Sequence, residues 1–179
     1  MITGSEIRNR QNEAIDHTFY PGTHAYALVI LGHGVTGNKD RPLLVALAKA
    51  LSASGWPCLT LSYSGNGASE GSFEDSNITK EISDLQAVLE MVPADVKVAY
   101  IGHSMGGAVG VLTAARDMRI FTLISLAGMT HTAAFTRREF GDVTPGAGLM
   151  WEDEDCPLSQ KFVDDLTQIG DTLSAAEAL

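Results

Sequence analysis

The chain has 179 residues, of which 45% are hydrophobic and 19% charged, and a net charge of -10. That composition supplies one domain with a real core and excludes a disordered chain. The negative charge excludes nucleic acid or an anionic membrane surface as the main partner.

In chain order, Glu6-Ile7-Arg8 and Ala14 to Phe19, joined through Asn9-Arg10-Gln11-Asn12, read as an antiparallel hairpin at a sheet edge. Ala25 to Leu31 is a continuous apolar run closed by Gly32, the pattern of a buried parallel strand. A helix follows from about Arg41 to Ala53, with Leu43, Leu44, Leu47, Ala48 and Leu51 as its buried face, Asp40 as cap and Gly55 as stop. Cys58 to Leu61 is the next strand. Ile78, Ile82, Leu85 and Leu89 set the single buried stripe of a second helix. Val96 to Ile101 reads as a strand, Met105 to Ala115 as a helix and Phe121 to Ala127 as a strand. Gly128 to Cys156 has no period, contains Gly141, Pro145, Gly146 and Gly148, and reads as an irregular covering segment. Helical spacing returns over Pro157 to Ile169, ended by Gly170. Strands alternating with helices of these lengths predict an α/β fold: one domain over 1–179 with a mostly parallel sheet covered by helices on both faces.

The longest apolar run is far too short to span a bilayer, and the opening residues MITGSEIRNRQNE contain no signal-peptide core. Two cysteines without a CxxC or His-rich pair imply neither metal nor cofactor, and point to a cytoplasmic, reducing setting.

The chemistry concentrates at Gly102-His103-Ser104-Met105-Gly106, a G-x-S-x-G pattern. Such a turn drives the chain sharply from strand to helix, where flanking side chains would collide, and lifts the serine hydroxyl above the sheet edge. Gly67-Ala68-Ser69-Glu70-Gly71 has the same spacing. Context separates them: Ser104 follows an apolar strand and opens a helix of small residues, whereas Ser69 sits among polar turn residues and reads as a solvated loop serine. The bland alternative for Ser104 is a tight structural turn in a non-catalytic α/β protein. A second piece, Gly32-His33-Gly34-Val35-Thr36-Gly37-Asn38, follows the first parallel strand. Acyl transfer needs two backbone N–H groups aimed at the oxyanion, and Val35 and Met105 are placed to supply them. His33 reads as a loop histidine bonded to its turn rather than as a base, and His103 as a packing residue. Phosphate-binding readings fail. Lys39 does not directly follow Gly37 and Asp40 stands where Ser or Thr is needed, while no helix opens after the glycines at 65–71.

Taken with Ser64-Gly65-Asn66-Gly67-Ala68-Ser69-Glu70-Gly71, these motifs resemble the α/β-hydrolase superfamily over roughly residues 1–170. The nearest branch is the serine aminopeptidase-like group that includes feruloyl and cinnamoyl esterases. The resemblance implies an ester hydrolase working through an acyl-enzyme on Ser104, with Val35 and Met105 as oxyanion donors and a cap over 129–156. Peptide or thioester cleavage shares these residues, and a non-catalytic binding module is the alternative outside enzymology. The implied partner is a small-molecule ester or related acyl compound.

The departure lies at the C-terminus. Family members continue with two more strands that bring the acid and the catalytic histidine, and here the sequence stops at Leu179. Asp117 is the only carboxylate between Ser104 and His131. It lies about 17–20 Å along the helix from the nucleophile and cannot orient a base. His131 falls on the catalytic side and reads as a pocket or binding residue, with a smaller claim as base. Arg137 and Arg138 read as solvated or paired to Glu139 and Asp142, with a substrate-anion role as the alternative. The expectation is therefore a catalytically incomplete 179-residue chain whose last strand leaves an uncovered edge prone to self-association.

Overall fold

The computed structural model describes residues 6–179. Its five strands lie in the order β1-β3-β2-β4-β5, with β1 (His17–Tyr20), β2 (Ala27–Gly32), β3 (Cys58–Leu61), β4 (Lys97–His103) and β5 (Ile120–Leu126). Only β1 runs antiparallel; β3, β2, β4 and β5 are mutually parallel. The helices are α1 (Pro42–Ala53), α2 (Ile78–Glu90), α3 (Met105–Ala114), α4 (Thr132–Phe140), α5 (Gln160–Ile169) and the short α6 (Leu173–Ala176).

Strand alternation divides the core in two. Leu28, Ile30, Leu59, Leu61, Val98 and Tyr100 face one way, against α2, α3 and α5. Val29, Leu31, Cys58 and Ile101 face the other, against Leu44 and Ala48 of α1. β5 is an edge strand, and Phe121 and Ile124 remain 68% and 42% exposed on it.

Several expectations change. The hairpin shrinks to one bridge, Arg8 with Ala14, because the turn at 9–12 is closed by Asn9 rather than by a ladder. Only β1 joins the sheet. Helix α1 is capped by Arg41 with Pro42 in its first turn, not by Asp40. Leu43 is 48% exposed instead of buried. Gln160 opens α5, with the Ser159 hydroxyl accepting from Phe162 N–H at 3.1 Å.

The largest correction concerns Gly128 to Cys156, which contains a full helix. The buried stripe of α4 is Thr132, Thr136 and Phe140, spaced at four. A hydrophobic periodicity cannot register threonines, although they bury well once their hydroxyls find acceptors. Thr132 Oγ1 donates to Leu166 O at 2.7 Å in α5, whereas Thr136 Oγ1 turns back to Ala133 O at 3.0 Å in its own helix. Thr132→Val should therefore cost about 1 kcal/mol by removing a bond between elements. Thr136→Val, which loses only a local back-bond, should cost less. Urea denaturation of both variants checks this ordering.

Candidate active site

Ser104 follows β4 and caps α3 with φ 54° and ψ -118°, a left-handed conformation that costs a non-glycine residue of order 1–3 kcal/mol. Three hydrogen bonds hold it there. Its N–H donates to Leu126 O at 3.0 Å, and its carbonyl accepts from Gly107 N–H and Met129 N–H, both at 2.9 Å. The flanking glycines are required by contact: a Cβ at Gly102 would overlap the Gly106 carbonyl, and one at Gly106 would overlap His33 O.

The glycine loop after β2 lies directly against this turn. A Cβ at Gly34 would stand 2.8 Å from Ser104 Cβ and 3.2 Å from its Oγ. Val35 follows, half-buried, and Thr36 takes a positive φ of 54°. Among the described residues, neither the Val35 N–H nor the Met105 N–H has an intramolecular acceptor.

His33 fixes the loop. It is fully buried, its Nε2 lies 3.0 Å from the Tyr63 N–H, and its Nδ1 lies 2.8 Å from Gly34 O. Since Tyr63 N–H can only donate, Nε2 accepts and the proton sits on Nδ1, which donates to Gly34 O. Gly37 N–H donates to the same carbonyl at 3.0 Å. Burial pushes the imidazole down to about 4. The expectation of a turn-bonding histidine is borne out. Beneath the elbow, Tyr63 Oη and Tyr100 Oη lie 2.5 Å apart, and Tyr100 Oη donates to Gly106 O at 2.9 Å.

A cleft of about 430 Å³ opens at Ser104. Val35, Arg41, Leu43, His103, Phe135, Glu139 and Trp151 are among its walls. Sequence reasoning missed the last three. They come from the segment after β5, where Phe135, Phe140, Trp151 and Phe162 form a cluster with ring centroids 4.9–6.4 Å apart. The aromatic spacing was the available signal, hidden by the missed helix α4.

Ser69 is not a solvated serine. It is half-buried, accepts from Asp16 N–H at 2.8 Å and donates to Ser62 O at 2.7 Å, so it fastens the loop after β3 to the N-terminal segment. His131 is exposed at the start of α4 and outside the cleft lining. Arg138 pairs with Glu139 at 2.7 Å.

A parallel sheet with a strained serine at a strand-to-helix turn, beside a glycine loop from the neighbouring strand, defines an α/β-hydrolase fold. Solved structures of low identity share it. Est1E from Butyrivibrio proteoclasticus, solved with ferulic acid bound, aligns at a TM-score of 0.78 and 21% identity over 96% of this chain and 73% of its own. Mouse alpha/beta hydrolase domain-containing protein 10 aligns at 0.61 and 20% over 78% and 54%. The Pyrococcus furiosus esterase Pf2001 aligns at 0.64 and 21% over 78% and 55%. The chain thus spans about half to three-quarters of these relatives. No curated protein sequence matches it. Residues 23–149 match the profile of the serine aminopeptidase, S33, family, and the chain belongs to that family.

Burial of neutral His33 makes stability depend on acid. The unfolded chain takes up this proton near 6.5, and the folded chain resists until about 4. The contribution is complete above pH 6.5 and is lost as pH falls to about 4, by about 3 kcal/mol. Unfolding free energies of wild type and His33→Asn, from denaturant melts between pH 7 and pH 4, should converge by about that amount. A constant gap across this range would contradict a neutral buried imidazole.

Proposed function

We propose that the protein is a serine hydrolase that cleaves carboxylic esters of small molecules through an acyl-enzyme on Ser104. The observation that carries this reading is the strained turn of Ser104, with its hydroxyl at a cleft and the Gly34 loop in contact beside it. In this reading Ser104 Oγ attacks the ester carbonyl carbon. The carbonyl oxygen takes the developing charge and accepts from Val35 N–H and Met105 N–H, which are preorganised and otherwise unengaged. Collapse expels the alcohol with a proton, and water then releases the acid. The segment 129–156 serves as the cap, since Phe135, Glu139 and Trp151 from it wall the cleft. The charged wall residues are engaged elsewhere, Arg41 with Thr36 O and Glu139 with Arg138, and the remaining apolar and aromatic walls suit a neutral acyl or alkoxy group. Peptide and thioester cleavage use the same machinery, and relative rates on the three substrate types separate them. The free, buried Cys58 and Cys156 support a cytoplasmic location.

The serine also needs a base, and this reading assigns it to no histidine among the described residues. Both nitrogens of His33 are engaged. His103 ends β4 directly before the nucleophile, and His131 lies outside the cleft lining.

A fluorophosphonate probe applied to the full-length gene product should label Ser104, identified by peptide mapping, and Ser104→Ala should abolish the label. Ser69→Ala should remain labelled. Val35→Pro, once shown to be folded, should lower kcat by on the order of 10²- to 10³-fold because it removes the N–H. Label on Ser69, or an unimpaired Val35→Pro, would reject these assignments, and a folded protein with no labelled serine would favour a binding module.

Residues 1–179 expressed alone should show no ester turnover above a Ser104→Ala control. They should also self-associate, because β5 reads IFTLISL without a single charge and its outer edge is unpaired. Sedimentation velocity should find oligomers that Ile124→Lys returns to monomer. A soluble, active wild-type monomer would contradict both expectations.

A further inference from the structure

Two carboxyl groups lie buried in the face that α2 turns toward the sheet, where apolar side chains are the rule. Glu81 and Asp84 are 1% and 0% exposed, among Ile78, Leu85 and Val88. Burial pushes both up, and Glu81, beside Asp84, rises well above the ordinary carboxylate range. Among the described residues, Glu81 has one distant partner, the Ser76 hydroxyl at 3.4 Å, and its second oxygen has none. Asp84 is fully engaged. Oδ1 accepts from Asn9 Nδ2 at 2.8 Å, and Oδ2 accepts from both the N–H and the hydroxyl of Ser64, at 2.7 and 2.8 Å.

Ser64 follows Tyr63, and here the arrangement meets the catalytic loop. The peptide after Tyr63 is held by Asp84 through the Ser64 N–H. The peptide before it is held by His33 Nε2 through the Tyr63 N–H, at 3.0 Å. With both flanking peptide planes fixed, the φ and ψ of Tyr63 are fixed too. His33 in turn donates to Gly34 O, one residue before Val35. A buried carboxylate is a poor way to add stability at a position where an apolar residue would pack, and breaking its bonds leaves an uncompensated charge. Its geometry serves a loop instead.

We propose that Asp84 is a positioning residue for the oxyanion loop, acting through Ser64, Tyr63 and His33. This deepens the reading of Ser104 and Val35 given above and rests on it for its catalytic consequence. Asp84 touches no reacting atom. It fixes where Tyr63 N–H stands, hence where the His33 ring stands, hence how Val35 N–H is aimed.

The test compares Asp84→Asn with a core variant of matched loss in Tm, either Ile78→Val or Leu85→Ala. In the full-length gene product, Asp84→Asn should slow fluorophosphonate labelling of Ser104 by about tenfold or more, as expected when a reacting group is misplaced. The matched variant should stay within about twofold of wild type. In the same protein, amide exchange at Tyr63 and Gly37, whose N–H groups report the His33 and Gly34 bonds, should quicken in Asp84→Asn more than in the matched variant. Equal slowing in both variants would reduce Asp84 to a structural residue and overturn the proposal. Unchanged labelling and exchange in folded Asp84→Asn would overturn it as well. If Asp84→Asn fails to fold, Ser64→Ala removes one of the three donors, and wild-type values for both readouts in that variant would overturn the proposal. If wild-type Ser104 itself resists labelling, the serine-hydrolase reading fails, and exchange at Tyr63 and Gly37 alone then decides whether Asp84 holds the loop.

Discussion

The site depends on a close approach of three backbones. β2, β4 and the first turn of α3 meet where Gly32, Gly102 and Gly106 leave no room for a Cβ. Side chains at these positions would hold α3 away from the sheet, and Ser104 would then lose both its left-handed conformation and its nearness to Gly34. The space at Gly32 is filled from below by the hydroxyls of Tyr63 and Tyr100, and Tyr100 bonds to the Gly106 carbonyl. One crowded point therefore sets the serine, the loop that faces it and the helix dipole behind it.

Electrostatics reinforce that geometry by keeping charge out. His33 could be read as a base from its place in the sequence, yet burial disfavours its protonated form and both nitrogens are engaged. A proton on Nε2 would face the Tyr63 N–H, donor against donor, and release the loop. Neutrality of the imidazole is thus a condition of the site's shape. The same logic places the engaged carboxylate of Asp84, rather than Glu81, at the Ser64 amide, since only Asp84 meets a full set of donors.

The parts of the fold set by local chemistry were legible in the sequence. Cys58 to Leu61 is the strand the apolar run predicts, and the elbow at Ser104 stands where its glycines place it. Two of the errors share a cause, which is polar groups satisfied by distant partners. Helix α4 was hidden because Thr132 borrows an acceptor from Leu166, 34 residues on. Ser69 looked solvated because its partners, Asp16 and Ser62, lie on other elements. Periodicity assigns Leu43 to the core, but it belongs to the cleft wall, where an apolar residue lines the opening at Ser104. Glu81 and Asp84 share the stripe of Ile78 and Leu85 at spacings of three and four, and that conflict between charge and periodicity was the one visible trace of the buried network.

The two faces of the sheet are unequally covered, and this bears on Ser104. One face is packed by α2, α3 and α5, and the other by α1 alone. Among the described residues β5 pairs on one side only, with β4, yet its C-terminal end is part of the elbow. Ser104 N–H donates to Leu126 O, and Ser104 O accepts from Met129 N–H just beyond the strand. Strain at Ser104 persists only while its surroundings over-determine it. β5 supplies one of the three bonds that do so and the segment just after it a second, and β5 is the least buried strand of the sheet. Whatever pairs with its free edge would restrict the motion of Leu126 and Met129 and so stiffen the serine. The edge is thus coupled to Ser104 through backbone hydrogen bonds, with no side chain between them.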